Sequence, residues 1–422
     1  MNRRKFLGMS AAAPGLLILK PKTAFGYEAN SAVRYALLGC GRRGTAVATS
    51  FAKNTSARIV ALADIFPDQL EKARTHFDEV NAGLGHPAID PKLMFRGYTA
   101  FQQLAASPDV DAIQISTPPF FHVEHLDAVV SAGKHAYCEK PVGVDFAQTV
   151  RALEIAKRVN GKVSIDVGFQ VRSAPPFAEI VRRIHAGEIG KIASISAHYD
   201  APASSYPDRS GMPADERRLR DWLWDRTLSG DILLEQNIHV IDVCNWIMGT
   251  HPIRAVGKSS RLVVQNFGNV SDNYQVIFTY PGGVELSFSS TQFGTNGFFD
   301  VSERIFGSLG VADAPYSGAL KIAGQNPWTW VDDAPAKSAP GRFAADGAFT
   351  DNLRLADTMK DRGFIESITS GKFHNQIADG VSSARSCMLG RKAAETGQEV
   401  AWDGLQQNSE VYSLGMDITQ FK

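Results

Sequence analysis

Val33-Arg34-Tyr35-Ala36-Leu37-Leu38-Gly39-Cys40-Gly41-Arg42-Arg43-Gly44 is an apolar run that passes directly into three spaced glycines. Thr45 to Lys53 then reads as a helix. A second apolar run, Ala57 to Ala63, ends in Asp64, 20 residues beyond the last glycine. Strand, glycine turn, helix, strand and terminal acid in this order form the fingerprint of a dinucleotide-binding βαβ unit. Each part has a task. Gly39 makes the tight turn, Gly41 lets the backbone approach a pyrophosphate, and Gly44 lets helix and strand pack closely. The first N–H groups of the helix, carrying a partial positive charge, face the phosphates. Asp64 accepts hydrogen bonds from the adenosine ribose and repels a 2′-phosphate, which favours NAD over NADP. Arg42 and Arg43 pull the other way, because a neighbouring arginine can receive a 2′-phosphate.

The alternation continues outward. Val110 to Ser116 is a buried-strand run ending in Thr117-Pro118-Pro119, and Ala128 to Gly133 closes a helix at glycine. Lys134 to Cys138 is a further strand, ending in Glu139-Lys140-Pro141. Strands alternating with helices predict a parallel sheet whose ligands bind beyond the strand C-termini. Thr117, Pro118, His122 and Lys140 all fall at or just after such ends. A lysine in such a place is usually a solvated loop charge; wedged between Glu139 and Pro141 after an apolar strand, Lys140 reads as positioned.

The whole chain has 422 residues, 44 basic and 44 acidic, with 44% hydrophobic and 21% charged residues. This is ordinary globular composition, too apolar for disorder and without the basic excess of a nucleic-acid binder. At about 150 residues per domain the length allows two or three domains. Cys40, Cys138, Cys244 and Cys387 stand far apart, with no CxxC pair to cradle zinc or an iron–sulfur cluster, and no metal site is expected. The N-terminus reads Asn2-Arg3-Arg4-Lys5-Phe6-Leu7-Gly8, then a mildly apolar stretch through Leu19 and small residues at Ala24-Phe25-Gly26. The stretch is too short to span a bilayer. Twin arginines followed by Phe-Leu predict a twin-arginine (Tat) export signal over residues 1–26, and a periplasmic or secreted protein exported already folded.

From Gly230 to Met248 the residues read as one helix with Gly249 as its C-cap. At about 100° per residue, Glu235, His239, Asp242 and Trp246 fall on one face. A carboxylate and an imidazole four residues apart can share a hydrogen bond and handle protons near neutral pH. By exposure statistics alone, such a pair is more often a solvated polar face with one core histidine. Beyond it, Tyr274 to Tyr280 alternates, Pro281-Gly282-Gly283 turns the chain, and Val284 to Phe288 alternates again, which predicts an antiparallel hairpin. Ile192 to His198 and Arg254 to Val264 add strands, and Phe364–Ser367 and Gly380–Glu395 read as helices. Two long loops, Asp200–Arg220 with Tyr206, followed by Trp222 and Trp224, and Gln325–Ala348 with Trp328 and Trp330, offer rings that could stack on a sugar or simply fill a core.

Gly39-x-Gly41-x-x-Gly44, Ser116-Thr117-Pro118 with His122, and Ala132-Gly133-Lys134-His135 leading to Glu139-Lys140-Pro141 together resemble the Gfo/Idh/MocA oxidoreductases. Gly168-Phe169-Gln170 with Arg172, and Gly187-Glu188-Ile189-Gly190-Lys191, extend the likeness over the second half. The resemblance implies an α/β chain: an N-terminal Rossmann domain over 30–155, an α+β domain with a mostly antiparallel open sheet over 156–405, and a tail over 406–422. It implies NAD as cofactor, held by Gly39 to Gly44 (Cys40, Arg42 and Arg43 included), Asp64, Ser116, Thr117, Pro118, His122, Glu139, Lys140 and Gln170. It implies Lys140, His239 and Glu235 as the catalytic set, with glutamate standing where the family often has aspartate and Asp242 as the fallback acid. Lys140, Arg172, Tyr206, Trp222, Asp242 and His239 are the candidate contacts to a carbohydrate-like substrate. A homodimer or homotetramer built on the open sheet is the implied assembly.

Three functions fit these residues: an NAD-dependent dehydrogenase of sugar, glycoside or cyclitol hydroxyls; an NAD-dependent glycosidase working by transient oxidation, elimination and re-reduction; and a non-catalytic dinucleotide sensor.

Overall fold

The computed structural model describes residues 32–159, 161–202, 208–294, 298–332, 350–405, 407 and 410–422. The N-terminal arginines and Tyr206 lie outside them. Within these residues, six short apolar segments become strands β1 (Val33–Leu38), β2 (Ala57–Asp64), β3 (Met94–Arg96), β4 (Ala112–Ile115), β5 (His135–Cys138) and β6 (Ile165–Val167). They pair in parallel in the order β3-β2-β1-β4-β5-β6. Every residue of β4 is buried, as are all but Arg34 in β1, because helices cover both faces. The order reverses between β1 and β4, and that switch point opens a crevice beyond the strand ends.

The glycine turn is built for that crevice. Gly39 has φ +93°, and a Cβ on it would lie 2.6 Å from the Ser116 carbonyl. The loops after β1 and β4 therefore touch at a place only glycine can occupy. A Cβ on Gly44 would sit 2.2 Å from the Gly39 oxygen, so this residue sets the close approach of helix Arg42–Asn54 to the turn. A Cβ on Gly41 would meet nothing within 4 Å.

Among the described residues the second sheet has nine strands: β7 (Ile192–Pro202), β8 (Arg254–Ser260), β9 (Asn273–Tyr280), β10 (Val284–Gly294), β11 (Asp300–Gly307), β12 (Gly310–Pro315), β13 (Lys321–Gly324), β14 (Trp328–Thr329) and β15 (Val400–Ala401). Their order is β14-β13-β12-β11-β7-β10-β9-β8-β15. Only the central β7–β10 pair is parallel; the rest, including the β9–β10 hairpin, are antiparallel. Tyr274, Val276 and Phe278, with Leu286, Phe288, Val301 and Ile305, turn inward. Helices Pro175–His185, Ile238–Met248 and Ile377–Thr396 pack against this sheet. On the other face, Val256, Ile277 and Phe306 stay exposed.

The structure moves several boundaries. β6 completes the first sheet, so the nucleotide domain runs past 155 to Val167, and residue 156 falls inside helix Phe146–Arg158. The strand read over Arg254–Val264 stops at Ser260. The helix read over Phe364–Ser367 is longer, Ala356–Ser370, and packs back on helix Arg42–Asn54, where Phe364 meets the Phe51 and Tyr137 rings edge-on. All four cysteines are buried free thiols.

Candidate active site

At the adenosine side of the crevice, Asp64 closes β2. Its carboxylate accepts from the Cys40 N–H at 2.7 Å and the Phe66 N–H at 2.8 Å, and burial pushes it up to about 6. Asp64 thus braces the glycine turn and keeps acceptor capacity for ribose hydroxyls, since a carboxylate offers about four lone-pair sites. Gly41 has open space beside it, and no side chain caps the helix it begins. Backbone N–H groups, a positive helix end and an acid at the end of β2 fit a dinucleotide. Arg42 is exposed at the helix start. Arg43 departs from the sequence reading. It turns inward, donating to Glu139 Oε1 at 3.0 Å and to Gln170 Oε1 at 2.8 Å, with Asp357 at 3.6 Å. Its charge is spent on Glu139 and Asp357 rather than aimed at a phosphate.

The loop after β4 is held from below. Ser116 Oγ accepts from Gln114 Nε2, and Thr117 Oγ1 meets His125 Nδ1 at 3.0 Å. Pro118 leads a single turn of 3-10 helix, Pro119–Phe121. His122 is a correction to the cofactor set. It is buried, with Nδ1 2.8 Å from the Pro141 oxygen and Nε2 2.7 Å from the Thr117 oxygen. It ties the loop after β4 to the Glu139-Lys140-Pro141 turn and so positions Lys140 indirectly.

Lys140 reaches across to the second domain. Its Nζ donates to Glu235 Oε1 at 2.7 Å and to the Glu235 carbonyl oxygen. Both side chains are nearly buried, 12% and 10% exposed, so little water screens the pair. Here the single helix read over Gly230–Met248 breaks in two: Ile232–Glu235 and Ile238–Met248, with Gln236–Asn237 between. The break frees the Glu235 carbonyl for Lys140. It also corrects the expected Glu235–His239 pair: Glu235 holds the lysine, not the imidazole. His239 Nδ1 is buried without a hydrogen-bond partner. Burial first, then the Lys140 charge, holds the imidazole well below its usual range, so it is neutral at pH 7. A neutral imidazole beside a fixed ammonium is an arrangement for removing a proton from a bound hydroxyl.

Asp242, the fallback acid, is committed elsewhere. Arg172 grips it with two bonds of 2.7 and 2.8 Å, and Ser383 Oγ donates at 2.7 Å. Asp242 is fully buried, and Arg172 also reaches Asp379 at 3.1 Å. The pair fastens the 3-10 turn Gln170–Ser173 to helices Ile238–Met248 and Ile377–Thr396, a positioning task rather than a substrate contact. Trp222 is half-buried in a cluster with Phe66, Phe121, Leu219 and Leu228, beside the ends of β2 and β4. Trp328 and Trp330 meet edge-on at the β14 margin of the second sheet, with Arg183 over Trp328.

Two residues under the site had no signal in the sequence. Asp357 and Lys360 precede the helix read over Phe364–Ser367, yet Lys360 is buried and Asp357 half-buried. Lys360 Nζ donates to Asp357 Oδ1 at 3.0 Å and lies 4.6 Å from the Tyr137 ring centre. Against burial, Lys360 and Arg43 hold the Asp357 carboxyl down to about 2. Only the packing of helix Ala356–Ser370 on helix Arg42–Asn54 brings this cluster under Glu139 and Lys140.

Buried histidines give the stability a pH dependence. His125, stacked near Phe101 and Phe121, is held down to about 3 by burial, and burial also depresses His122. Below the unfolded histidine value of about 6.5 the unfolded chain binds more protons, so this contribution is lost as pH falls towards the folded value. Asp64 and Asp361, pushed up to about 6 by burial, act oppositely, and their contribution is lost as pH rises from about 4 to 6. A His125→Phe variant isolates the first effect. Its thermal midpoint relative to the unaltered protein should improve steadily from pH 7 to pH 4; a difference independent of pH would show that His125 is not the group that titrates.

A reversing parallel sheet with a glycine-turn crevice, a lysine at its edge and an imidazole from a second, open-sheet domain define a two-domain, dinucleotide-dependent oxidoreductase. Residues 33–167 match the oxidoreductase family with NAD-binding Rossmann fold, and residues 177–313 match the GFO/IDH/MocA C-terminal domain. The chain belongs to the Gfo/Idh/MocA family and binds NAD in its Rossmann domain. It is 28% identical over 292 residues to inositol 2-dehydrogenase of Rhizobium meliloti, covering 69% of this chain and 78% of the relative. Among solved structures, levoglucosan dehydrogenase in complex with NADH superposes with a TM-score of 0.68 at 18% identity, covering 88% of this chain and 99% of that one. Aldose-aldose oxidoreductase from Caulobacter crescentus, complexed with glycerol, gives 0.67 at 20%, with the same coverage.

Proposed function

We propose that the protein oxidises a secondary hydroxyl of a sugar, glycoside or cyclitol, with an NAD that it holds tightly. The observation that carries this reading is the pairing of a Glu235-fixed Lys140 ammonium with a neutral His239 whose buried Nδ1 lacks a partner. When an alcohol is oxidised, its oxygen loses a proton as its carbon loses hydride. Lys140 holds the hydroxyl oxygen and steadies the developing alkoxide, and His239 takes the proton. Glu235 keeps Lys140 in place and Asp242–Arg172 anchors the helix that carries His239. Bound NAD supplies the hydride acceptor. The relatives named for inositol and levoglucosan oxidation support a polyhydroxylated, ring-shaped substrate.

The twin arginines at Arg3-Arg4 support export by the Tat route. An exported enzyme meets little free NAD, so a cofactor that stays bound suits it. That favours redox chemistry that closes on one NAD, by reducing a second sugar or by oxidation, elimination and re-reduction of a glycoside. The exposed sheet face with Val256, Ile277 and Phe306 supports assembly with a second copy.

One experiment separates these outcomes. The purified protein is incubated with a panel of sugars, cyclitols and glycosides without added NAD, while absorbance at the NADH band and released sugar are followed. NADH that accumulates to one equivalent per chain supports a dehydrogenase; turnover without net NADH supports the closed cycle. Silence across the panel, with NAD bound, would leave only a sensing role.

A further inference from the structure

The C-terminal residues do not trail away from the fold. The Phe421 oxygen accepts from the Tyr98 N–H at 2.9 Å, just after β3, and the Phe421 ring meets Phe66 edge-on at 5.8 Å, just after β2. A Cβ on Gly97 would lie 2.8 Å from the Lys422 carbonyl carbon, so the chain end is seated against this loop. Leu414, Met416, Ile418 and Phe421 pack on Phe66, Phe121, Leu219 and Leu228.

A second segment lies beside the tail. Helix Ala214–Arg220 and the turn Trp222–Trp224 come from the second domain, between β7 and the catalytic helix. Arg220 lies 3.9 Å over the Phe66 ring, donates to Asp68 Oδ1 at 2.7 Å and to Glu216 Oε1 at 2.8 Å. Polar ties join tail and segment: Gln420 Nε2 donates to Asp215 at 2.8 Å and Arg218 to the Leu414 carbonyl; just beyond the segment, Arg226 Nε donates to the Tyr412 hydroxyl at 2.9 Å. The Tyr412 N–H donates to Asp145 Oδ2 at 2.9 Å, anchoring the tail's near end on the nucleotide domain.

The place they share is specific. Phe66 follows Asp64, the ribose acid, and Phe121 follows the β4 loop. In a Rossmann crevice the adenosine half lies between these two loops. We propose that the tail Tyr412–Phe421 and the segment 214–224 form a built-in cover over the adenosine end of the crevice, which slows both entry and escape of NAD. The inference rests on the reading of a tightly held cofactor and names the residues that hold it. The apolar seat of four tail side chains and the anchored chain end give the cover its own stability, independent of ligand.

The test is kinetic. Full-length protein, a chain ending at Glu410, and the point variant Ile418→Asp with Phe421→Ala are each loaded with NADH. Release is followed by loss of bound-NADH fluorescence on chasing with excess NAD, and binding by its gain. The cover predicts that both association and dissociation speed up at least about tenfold in both variants, with dissociation changing more. A tail that merely touched the adenosine would raise dissociation alone, and that result overturns a cover. So does release at an unchanged rate from chains that still bind NADH. If full-length protein binds no dinucleotide at all, the cover and the cofactor reading fail together, an outcome distinct from the other two. The point variant guards against a truncation that fails to fold.

Discussion

His239→Asn is expected to lower turnover at least about 100-fold, the scale of a lost general base, while leaving NAD bound. Asparagine is polar and close in size, so helix Ile238–Met248 should keep its packing; Val240, Val243 and Ile247, not His239, fill its buried face. What disappears is a basic nitrogen kept neutral by its surroundings. Burial is the larger cause and the Lys140 charge the next, and both lower the imidazole. The sign follows directly. His239 acts as a base only when unprotonated, so activity falls as pH drops through its depressed value and is level through pH 7. The acid limb of the kcat profile therefore lies below the ordinary histidine range, and it vanishes in the variant. Turnover within about threefold of the unaltered protein would remove His239 from the mechanism.

The nucleotide half was legible in the sequence because its signals are local. Gly39, Gly41, Gly44 and Asp64 are fixed by one turn and two strands, and the structure uses the two outer glycines sterically as their spacing demands. Lys140 was legible because a charge between an apolar strand and a proline has few solvated places to go. The partners of these residues were not, because they come from far along the chain. Arg43 read as a phosphate ligand, but Glu139, Gln170 and Asp357 lie 96, 127 and 314 positions away and claim it first. The helix break at Gln236–Asn237 carries no proline or glycine, so periodicity ran through it. Glu235 and His239 then looked like neighbours on one face, when the break turns Glu235 towards Lys140. The tail shows the same limit: Leu414, Met416, Ile418 and Phe421 alternate weakly, and nothing local says that their seat is Phe66.

Lys140→Met should lower turnover by about 1,000-fold, within the 10²–10³ range for losing one charge-stabilising donor combined with the loss of an aligned hydroxyl. The substitution has a second consequence that must be separated from the first. Lys140 and Glu235 form a nearly buried pair. Removing one member leaves a carboxylate without its counter-charge, which costs about 3–5 kcal/mol of stability. A fall in activity alone could then reflect a loosened fold. The double variant Lys140→Met with Glu235→Gln resolves this, because it removes both charges together. Its thermal midpoint should recover most of the loss while its turnover stays as low as that of Lys140→Met. Loss of the ammonium also removes the second largest influence on His239, so any residual activity should show its acid limb at higher pH than in the unaltered protein. If instead the double variant regained turnover with stability, Lys140 would be a structural tie between domains, and proton removal by His239 would have to proceed without an oriented hydroxyl.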